Sequence, residues 1–223
     1  GAGQVLFGVS LTVPAGACVS LMGRNGMGKT TTVRAIMGQL PLTGGRISRF
    51  GDDQDDRSSF EIARAGIGLV PEGRQIFSNL TVRENLQTFY RVPAGQISAA
   101  WHLDRVLALF PRLAERLEHA GNHLSGGEQQ MLAIGRALMT NPKLLILDEA
   151  TEGLAPIIRQ QIWDCLSQLK EDGQSILIID KNVDAIARLA DHNYILDKGR
   201  VAWHGDSKSL LATADLKSRY LGV

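Results

Sequence analysis

The chain has 223 residues, 44% of them hydrophobic and 21% charged, which is an ordinary globular composition and enough for one sizeable core with an appended lobe. Its 24 Lys and Arg residues nearly balance 23 Asp and Glu residues, so no net positive field draws it to nucleic acid, and we expect no nucleic-acid partner. The apolar runs are shorter than the roughly 20 residues of a membrane span, and no signal pattern opens the chain, which favours a cytoplasmic location.

The N-terminal segment from Val5 to Val13 alternates apolar residues with mostly polar or small ones, a pattern typical of half-buried strands. We therefore predict an antiparallel β edge here. The turn residues Pro14 to Gly16 then lead into a buried strand of small and apolar residues ending at Met22. A further short strand is predicted over Arg46 to Phe50.

A glycine-rich segment follows the buried strand and fits the phosphate-binding pattern G-x-x-x-x-G-K-[ST]. Its glycines let the backbone turn tightly and aim N–H groups at an anion, and the helix that follows directs its positive end at the same phosphates. Lys29 provides a cation for the β- and γ-phosphates, and the Thr30 hydroxyl is the natural ligand of magnesium. The predicted nucleotide-binding residues are Gly23, Arg24, Asn25, Gly26, Gly28, Lys29, Thr30 and Thr31.

A buried strand is predicted over 66–71, after which the pattern becomes helical and predicts a lobe over about 78–140. In this lobe Thr81 and Glu84 form a capping box. Apolar residues that share one helical face are Leu103, Val106, Leu107, Phe110, Leu113 and Leu117.

The same lobe contains the string LSGGEQQ over 124–130, directly before a strong helix-forming stretch. Ser125 and two glycines at a helix start predict a second anion-binding helix end on the chain. One nucleotide hardly needs two such sites from one subunit.

The apolar stretch Leu144 to Leu147 ends in Asp148 and Glu149, which predicts a parallel strand covered on both faces. Because ligands bind beyond the carboxyl ends of such strands, we expect these carboxylates beside the phosphate loop. Asp148 is predicted to hold magnesium (Mg2+) through water, and Glu149 to take a proton from the attacking water. Together with the phosphate loop they indicate a nucleoside triphosphate with Mg2+.

The remaining chain predicts a helix over 158–172, a parallel strand over 175–179, and two strands joined by a tight glycine turn over 194–203. Strands that alternate with helices around a phosphate loop predict an α/β fold. Cys18 and Cys165 show no disulfide or metal-ligand spacing, and we expect both to be reduced packing residues.

The chain resembles the ATP-binding cassette (ABC) family, whose signature is the LSGGEQQ string. The resemblance implies one nucleotide-binding domain over 1–223: a P-loop ATPase with a parallel-sheet nucleotide core, an antiparallel β edge and a helical subdomain. The catalytic core would be 1–77 and 141–223, and the helical signature subdomain 78–140.

Three segments extend the similarity to the ATP-binding subunits of branched-chain amino acid importers: 72–77, 80–86 and 153–156. Subunits that serve urea or amide uptake share much of this pattern. The resemblance therefore implies an ATP-hydrolysing subunit that energises an importer, with branched-chain amino acids favoured as the solute.

The family also implies partners. Ser125, Gly126 and Gly127 would close, in trans, over the γ-phosphate held by a second ABC ATPase subunit in a homo- or heterodimer. Membrane-spanning permease subunits would hold the protein peripherally on the inner face of the cell membrane, and a periplasmic solute-binding protein would act indirectly. Candidate permease contacts, with burial inside the lobe as the alternative, are Phe77, Leu80, Phe89 and Tyr90.

The chain departs from the family pattern at several positions. Glu72 stands where a glutamine is usual, and it could still hold magnesium or a water. Lys181 replaces the histidine that touches the γ-phosphate, and Ala155 replaces an aspartate that helps the two sites to communicate. The predicted catalytic residues are Glu149, Lys181 and Glu72, and the predicted metal ligands are Thr30, Asp148 and Glu72.

The adenine-stacking aromatic of the family would precede Gly1, and Phe7 is expected to pack in the core instead of replacing it. Ala155 and Lys181 leave open a catalytically degenerate, regulatory ATP-binding cassette. A soluble cassette of repair or translation fits less well, because its long insertions or basic extensions do not appear. A P-loop kinase would leave the loop at 125–127 unexplained.

Overall fold

A computed structural model of the protein describes residues 3–53, 57–93 and 100–221. The strands are β1 (Cys18–Met22), β2 (Ile67–Val70), β3 (Leu144–Asp148), β4 (Ser175–Ile179), β5 (His192–Asp197) and β6 (Arg200–Asp206). They form one six-stranded sheet in the order β2-β3-β4-β1-β5-β6. Neighbouring strands are parallel except β5 and β6, which are antiparallel. The predicted α/β fold with a parallel core and an antiparallel edge is confirmed.

The helices are α1 (Lys29–Ile36), α2 (Ser59–Ala65), α3 (Val82–Thr88), α4 (Leu103–Leu109), α5 (Pro111–Glu115), α6 (Gly126–Met139), α7 (Pro156–Glu171), α8 (Val183–Leu189), α9 (Ser207–Ala212) and α10 (Ala214–Leu216). A 3₁₀ turn covers Gly121–His123, and a π-helical turn covers Lys217–Leu221. Helices α3, α4 and α5 pack on α6 in the stretch of chain between β2 and β3.

The sheet is covered on both faces, as its continuous apolar strands predict. Along β1, Cys18 and Met22 belong to one buried cluster, whereas Val19 and Leu21 belong to another. This alternation follows from the two-residue period of side chains in a strand. Among the described residues, no helix is both long and apolar enough to cross a membrane.

Local signals in the helical stretch set its helix ends. Thr81 and Glu84 form the predicted capping box before α3. The apolar face predicted from Leu103 onward is divided at Phe110, where α4 ends and α5 begins with Pro111. A proline disfavours helical backbone at the residue before it, and Phe110 has the non-helical angles φ −126° and ψ 76°.

The two predicted N-terminal strands are wrong. Within residues 3–16 the structure has no strand, although Val9, Leu11 and Val13 pack against the buried cluster that contains Val19. Over Arg46 to Phe50 only an isolated bridge forms, between Arg49 and Asp52. Alternating apolar residues set which side chains are buried, but a strand also needs a neighbouring backbone to pair with.

The predicted glycine turn between the last two strands is confirmed. Lys198 has φ 46° and Gly199 has φ 73°, and these left-handed angles at both central residues match the twist of a two-residue hairpin. A side chain at Gly199 would also meet the backbone oxygen of Val5. The antiparallel edge of the sheet is therefore formed by β5 and β6, which come late in the chain, and not by the N-terminal segment.

Candidate active site

The carboxyl ends of adjacent strands carry most of the predicted site residues. The phosphate loop follows β1, Glu72 follows β2, Asp148 and Glu149 end β3, and Lys181 follows β4. In the sheet β2, β3, β4 and β1 are consecutive neighbours. Residues far apart in the chain therefore share one edge of the sheet, where ligands of such folds bind.

The phosphate loop has the backbone geometry that its glycines predict. Gly26 has φ 79° and Gly28 has φ 108°, in the region that a side chain disfavours, and α1 begins at the next residue. The buried ammonium of Lys29 donates to the carbonyl oxygens of Gly23 at 2.9 Å and Arg24 at 3.1 Å. Burial lowers the pKa of Lys29 below its usual value, and the nearby carboxylate of Glu149 opposes that effect.

Asp148 and Thr30 lie together at the start of α1. The pKa of Asp148 lies above its usual value. Burial is the main cause and the charge of Glu72 adds to it, whereas a hydrogen bond with the Thr30 side chain acts in the opposite direction. Within the described part of the chain, the buried Oδ1 atom of Asp148 has no hydrogen-bond partner. A buried carboxylate oxygen without a donor next to a hydroxyl fits Mg2+, which prefers oxygen ligands and retains several waters.

Glu149 lies between two cations. Its Oε1 is 3.8 Å from Lys29 Nζ, and its Oε2 is 3.8 Å from Lys181 Nζ. A hydrogen bond with Glu152, together with burial, raises the pKa of Glu149 to about 7. The same hydrogen bond and a second one from Lys181 lower the pKa of Glu152.

Two further contacts hold Glu149 and Lys181 in place. The N–H of Glu149 donates to the carbonyl oxygen of Ile179 at 2.8 Å. The Thr151 hydroxyl donates to Oδ2 of Asp180 at 2.5 Å, and both side chains are buried. Because Thr151 closely follows Glu149 and Asp180 precedes Lys181, this bond ties together the two segments that carry the predicted catalytic groups.

The LSGGEQQ segment caps α6 as its sequence predicts. Ser125 is the N-cap, its side chain accepts from the N–H of Glu128, and the Glu128 carboxylate accepts from the N–H of Ser125 at 2.7 Å. The backbone of Gly126 lies against the guanidinium of Arg74, and Gly127 lies against Ile158. Within the described ranges, no hydrogen bond or ion pair joins this helix start to the phosphate loop of the same chain.

The four candidates for a permease contact differ in exposure. Phe77 and Tyr90 are exposed, whereas Phe89 and Leu80 are half-buried. The guanidinium of Arg136 stacks on the Phe89 ring at 4.4 Å and on the Phe77 ring at 5.1 Å.

Phe7 is not a core residue, so that prediction is wrong. Its side chain is 38% exposed, its N–H donates to Gly199 O at 2.7 Å, and the Arg200 guanidinium lies over its ring. The backbone bond to the hairpin turn holds this segment at the surface of the sheet instead of inside it.

Glu152, Thr151 and Asp180 lie at the site but were not among the predicted site residues. Glu152 follows Glu149 by three residues. In a loop of unknown conformation, that spacing does not show whether the two side chains meet. Asp180 is adjacent to Lys181 and could have been noticed as a polar residue at a strand end. Arg74 was also missed: its Nη1 donates to Gln129 Oε1 at 3.2 Å and so connects the loop after β2 to α6.

These features define a nucleotide-binding α/β protein with a phosphate loop at the carboxyl edge of its sheet. Comparison with known proteins identifies the family. Residues 6–152 match the ABC transporter family. The chain is 43% identical to the high-affinity branched-chain amino acid transport ATP-binding protein BraG of Pseudomonas aeruginosa, over 98% of this chain and 94% of that protein.

Solved structures agree with that match. A nucleotide-free ATP-binding cassette from an ABC transporter superposes with a TM-score of 0.81 and 28% identity, covering 96% of this chain and 92% of that chain. A dimeric, post-hydrolysis cassette bound to ADP and Pi gives a TM-score of 0.77 and 28% identity, covering 91% and 90%.

The chain therefore belongs to the ABC transporter family and is an ABC-type ATPase of a transporter. The predicted family and fold are confirmed. Cassettes of this family bind ATP and ADP, form dimers, and work within transporter complexes.

Proposed function

We propose that the protein hydrolyses ATP to energise the import of a branched-chain amino acid. The solute class is supported by the 43% identity to BraG, which extends over 98% of the chain. The hydrolytic role is supported by one observation above all: Glu149 lies 3.8 Å from Lys29 Nζ at the edge of the sheet that carries the phosphate loop.

In the proposed reaction, a water oxygen attacks the γ-phosphorus and its proton passes to the Glu149 carboxylate. The bond from the γ-phosphorus to the bridging oxygen breaks, and ADP keeps that oxygen. Lys29 and Lys181 stabilise the negative charge of the transferred group. Because the pKa of Glu149 is raised to about 7, this group can act as a base only at pH values where its carboxyl group is ionised.

Mg2+ would be held by the Thr30 hydroxyl, by Asp148 through water and by Glu72, and it would neutralise phosphate charge. The partnerless Oδ1 atom of Asp148, buried beside Thr30, supports the first two assignments. Glu72 is supported by its charge interaction with Asp148. The phosphates would also contact the loop formed by Gly23, Arg24, Asn25, Gly26, Gly28, Lys29, Thr30 and Thr31.

The working form that we propose is a homo- or heterodimer in which Ser125, Gly126 and Gly127 contact the γ-phosphate of the partner subunit. Two observations support this arrangement: the start of α6 carries an exposed Ser125, and dimeric cassettes superpose on the chain. We further propose that 78–140 moves as a helical subdomain on a core formed by 1–77 and 141–223, so that ATP binding closes the dimer and phosphate release opens it.

The permease partner is also a proposal. The exposed rings of Phe77 and Tyr90 would contact membrane-spanning subunits, which would place the protein on the cytoplasmic face of the cell membrane. A periplasmic solute-binding protein would deliver the solute and would not touch this chain. Copurification of the assembled complex and identification of its captured solute tests the assignment: a branched-chain amino acid supports it, whereas urea or an amide selects the alternative transporter class.

Replacement of Glu149 by glutamine tests the hydrolytic mechanism. We expect E149Q to keep ATP binding, to lose turnover by a factor of about 10²–10⁴, and to make the ATP-bound dimer persistent. Glu118 offers a matched control, because it is an exposed glutamate paired with Arg83 on a different surface. Wild-type turnover in E149Q would exclude Glu149 as the base. ATP binding without Mg2+-dependent phosphate release by the wild-type protein would favour a regulatory cassette, as Ala155 and Lys181 suggest.

A further inference from the structure

Lys181 makes its shortest contact with a residue that the mechanism above does not use. Its Nζ donates to Glu152 Oε1 at 2.6 Å and lies 3.8 Å from Glu149 Oε2. The side chains of Lys181 and Glu152 are 46% and 53% exposed, whereas that of Glu149 is 12% exposed. The ammonium of Lys181 is thus held by an exposed surface carboxylate, while the predicted base beside it is mostly shielded from solvent.

We propose that Glu152 is a positioning residue that competes with the γ-phosphate of ATP for the ammonium of Lys181. The proposal rests on the role of Lys181 as a γ-phosphate contact, which belongs to the proposed function. In the nucleotide-free protein Glu152 holds Lys181, and when ATP binds, phosphate oxygens replace the Glu152 carboxylate.

The surroundings of Lys181 favour Glu152 as the group that is exchanged. Asp180 already accepts hydrogen bonds from Thr151 and from the N–H of Asn182, so its oxygens are engaged within the fold. The side chain of Glu149 is only 12% exposed, and its N–H donates to the carbonyl oxygen of Ile179. Glu152 is exposed, and water can solvate its carboxylate once Lys181 leaves.

The charges also favour exchange. A phosphate group carries more negative charge and more acceptor oxygens than one carboxylate, and its hydrogen bonds with an ammonium are charge-assisted. Lys29, whose Nζ is 3.8 Å from Glu149, is a second cation beside this carboxylate cluster. The ion pair of Lys181 with Glu152 therefore opposes ATP binding by the amount needed to break it.

The size of the effect follows from the exposure of the pair. Exposed ion pairs contribute little, and their measured range corresponds to a factor of about two to five in an equilibrium constant. We expect E152Q, which keeps the shape of the side chain but removes its charge, to tighten ATP binding about two- to fivefold. The thermal midpoint of E152Q should match that of the wild type, because the pair lies at the surface.

A double-mutant cycle on the full-length protein tests the proposal, with the equilibrium dissociation constant of ATP as the readout. E152Q should tighten binding in the wild-type background and leave it unchanged in the K181Q background, since the competition needs Lys181. E118Q, which breaks the exposed pair of Glu118 with Arg83, should leave ATP affinity unchanged in both backgrounds.

The proposal is overturned if E152Q leaves ATP affinity unchanged, weakens it, or shifts it equally in both backgrounds. An equal shift would mean that Glu152 acts through the general charge of the site and not through Lys181. The readout is ATP binding, so this test is independent of the test of hydrolysis. Wild-type turnover in E149Q would refute Glu149 as the base. An absence of coupling between Glu152 and Lys181 in ATP binding would refute only the competition.

Discussion

The buried bond between Thr151 and Asp180 should matter for both stability and turnover. T151V replaces the hydroxyl with a methyl group of similar size, so it removes the donor without opening a cavity. Thr151 and Asp180 are 3% and 6% exposed, and the hydroxyl donates at 2.5 Å. Asp180 keeps its bond from the N–H of Asn182, at 2.9 Å, but one oxygen of its carboxylate loses its donor from Thr151.

The magnitude follows from the charge of the acceptor. A hydrogen bond to a charged group contributes about 1.5–3 kcal/mol, and for a chain of this size each kcal/mol shifts the midpoint of thermal unfolding by about 2–4 °C. T151V should therefore lower the midpoint by about 3–12 °C. The bond joins the segments that carry Glu149 and Lys181, so its loss should displace these two groups slightly. Such displacements should lower kcat by up to about 10²-fold.

Thermal unfolding followed by circular dichroism, and steady-state phosphate release, measure the two effects of T151V. T88V is the matched control, because the exposed Thr88 hydroxyl donates only to a carbonyl of its own helix. Its effect should stay within about 0.5 kcal/mol. A T151V protein that melts and turns over like the wild type would refute the reasoning.

Two further predictions concern titration. Because its hydrogen bond with Glu152 and its burial raise the pKa of Glu149 to about 7, the base is protonated below that pH in the free enzyme, and kcat/KM should fall as the pH is lowered through about 7. E152Q should move this fall to lower pH, and a flat profile down to about pH 5.5 would contradict the assignment. Burial also raises the pKa of Cys18 and of Cys165 to about 12, so both thiols are neutral at ordinary pH. A thiol reagent should label neither cysteine in the native protein and both in denaturant, and native labelling of either would contradict their burial.

Some elements were predictable because their signals are local. The glycines of the phosphate loop require backbone angles that few other residues adopt, and the structure shows those angles at Gly26 and Gly28. The capping boxes at Thr81 and Ser125 lie within one helical turn, so they form wherever the helix forms.

Other predictions were wrong because a local apolar pattern does not show which backbone segment will lie beside it. The alternation from Val5 to Val13 correctly marks Val9, Leu11 and Val13 as packing residues, yet no neighbouring backbone pairs with them as a strand. Phe7 shares the alternation but is exposed, and its N–H donates to the hairpin turn at Gly199.

By itself the sequence determined the chemical groups of the site: a phosphate loop with Lys29, and a strand that ends in Asp148 and Glu149. The tertiary structure alone decided which side chains meet. The sheet order brings β3 and β4 side by side, and this contact creates the bond between Thr151 and Asp180 and the cluster of Glu149, Glu152 and Lys181. The physical reason is that strand pairing acts between distant segments, so contacts at a shared sheet edge have no signature in local spacing.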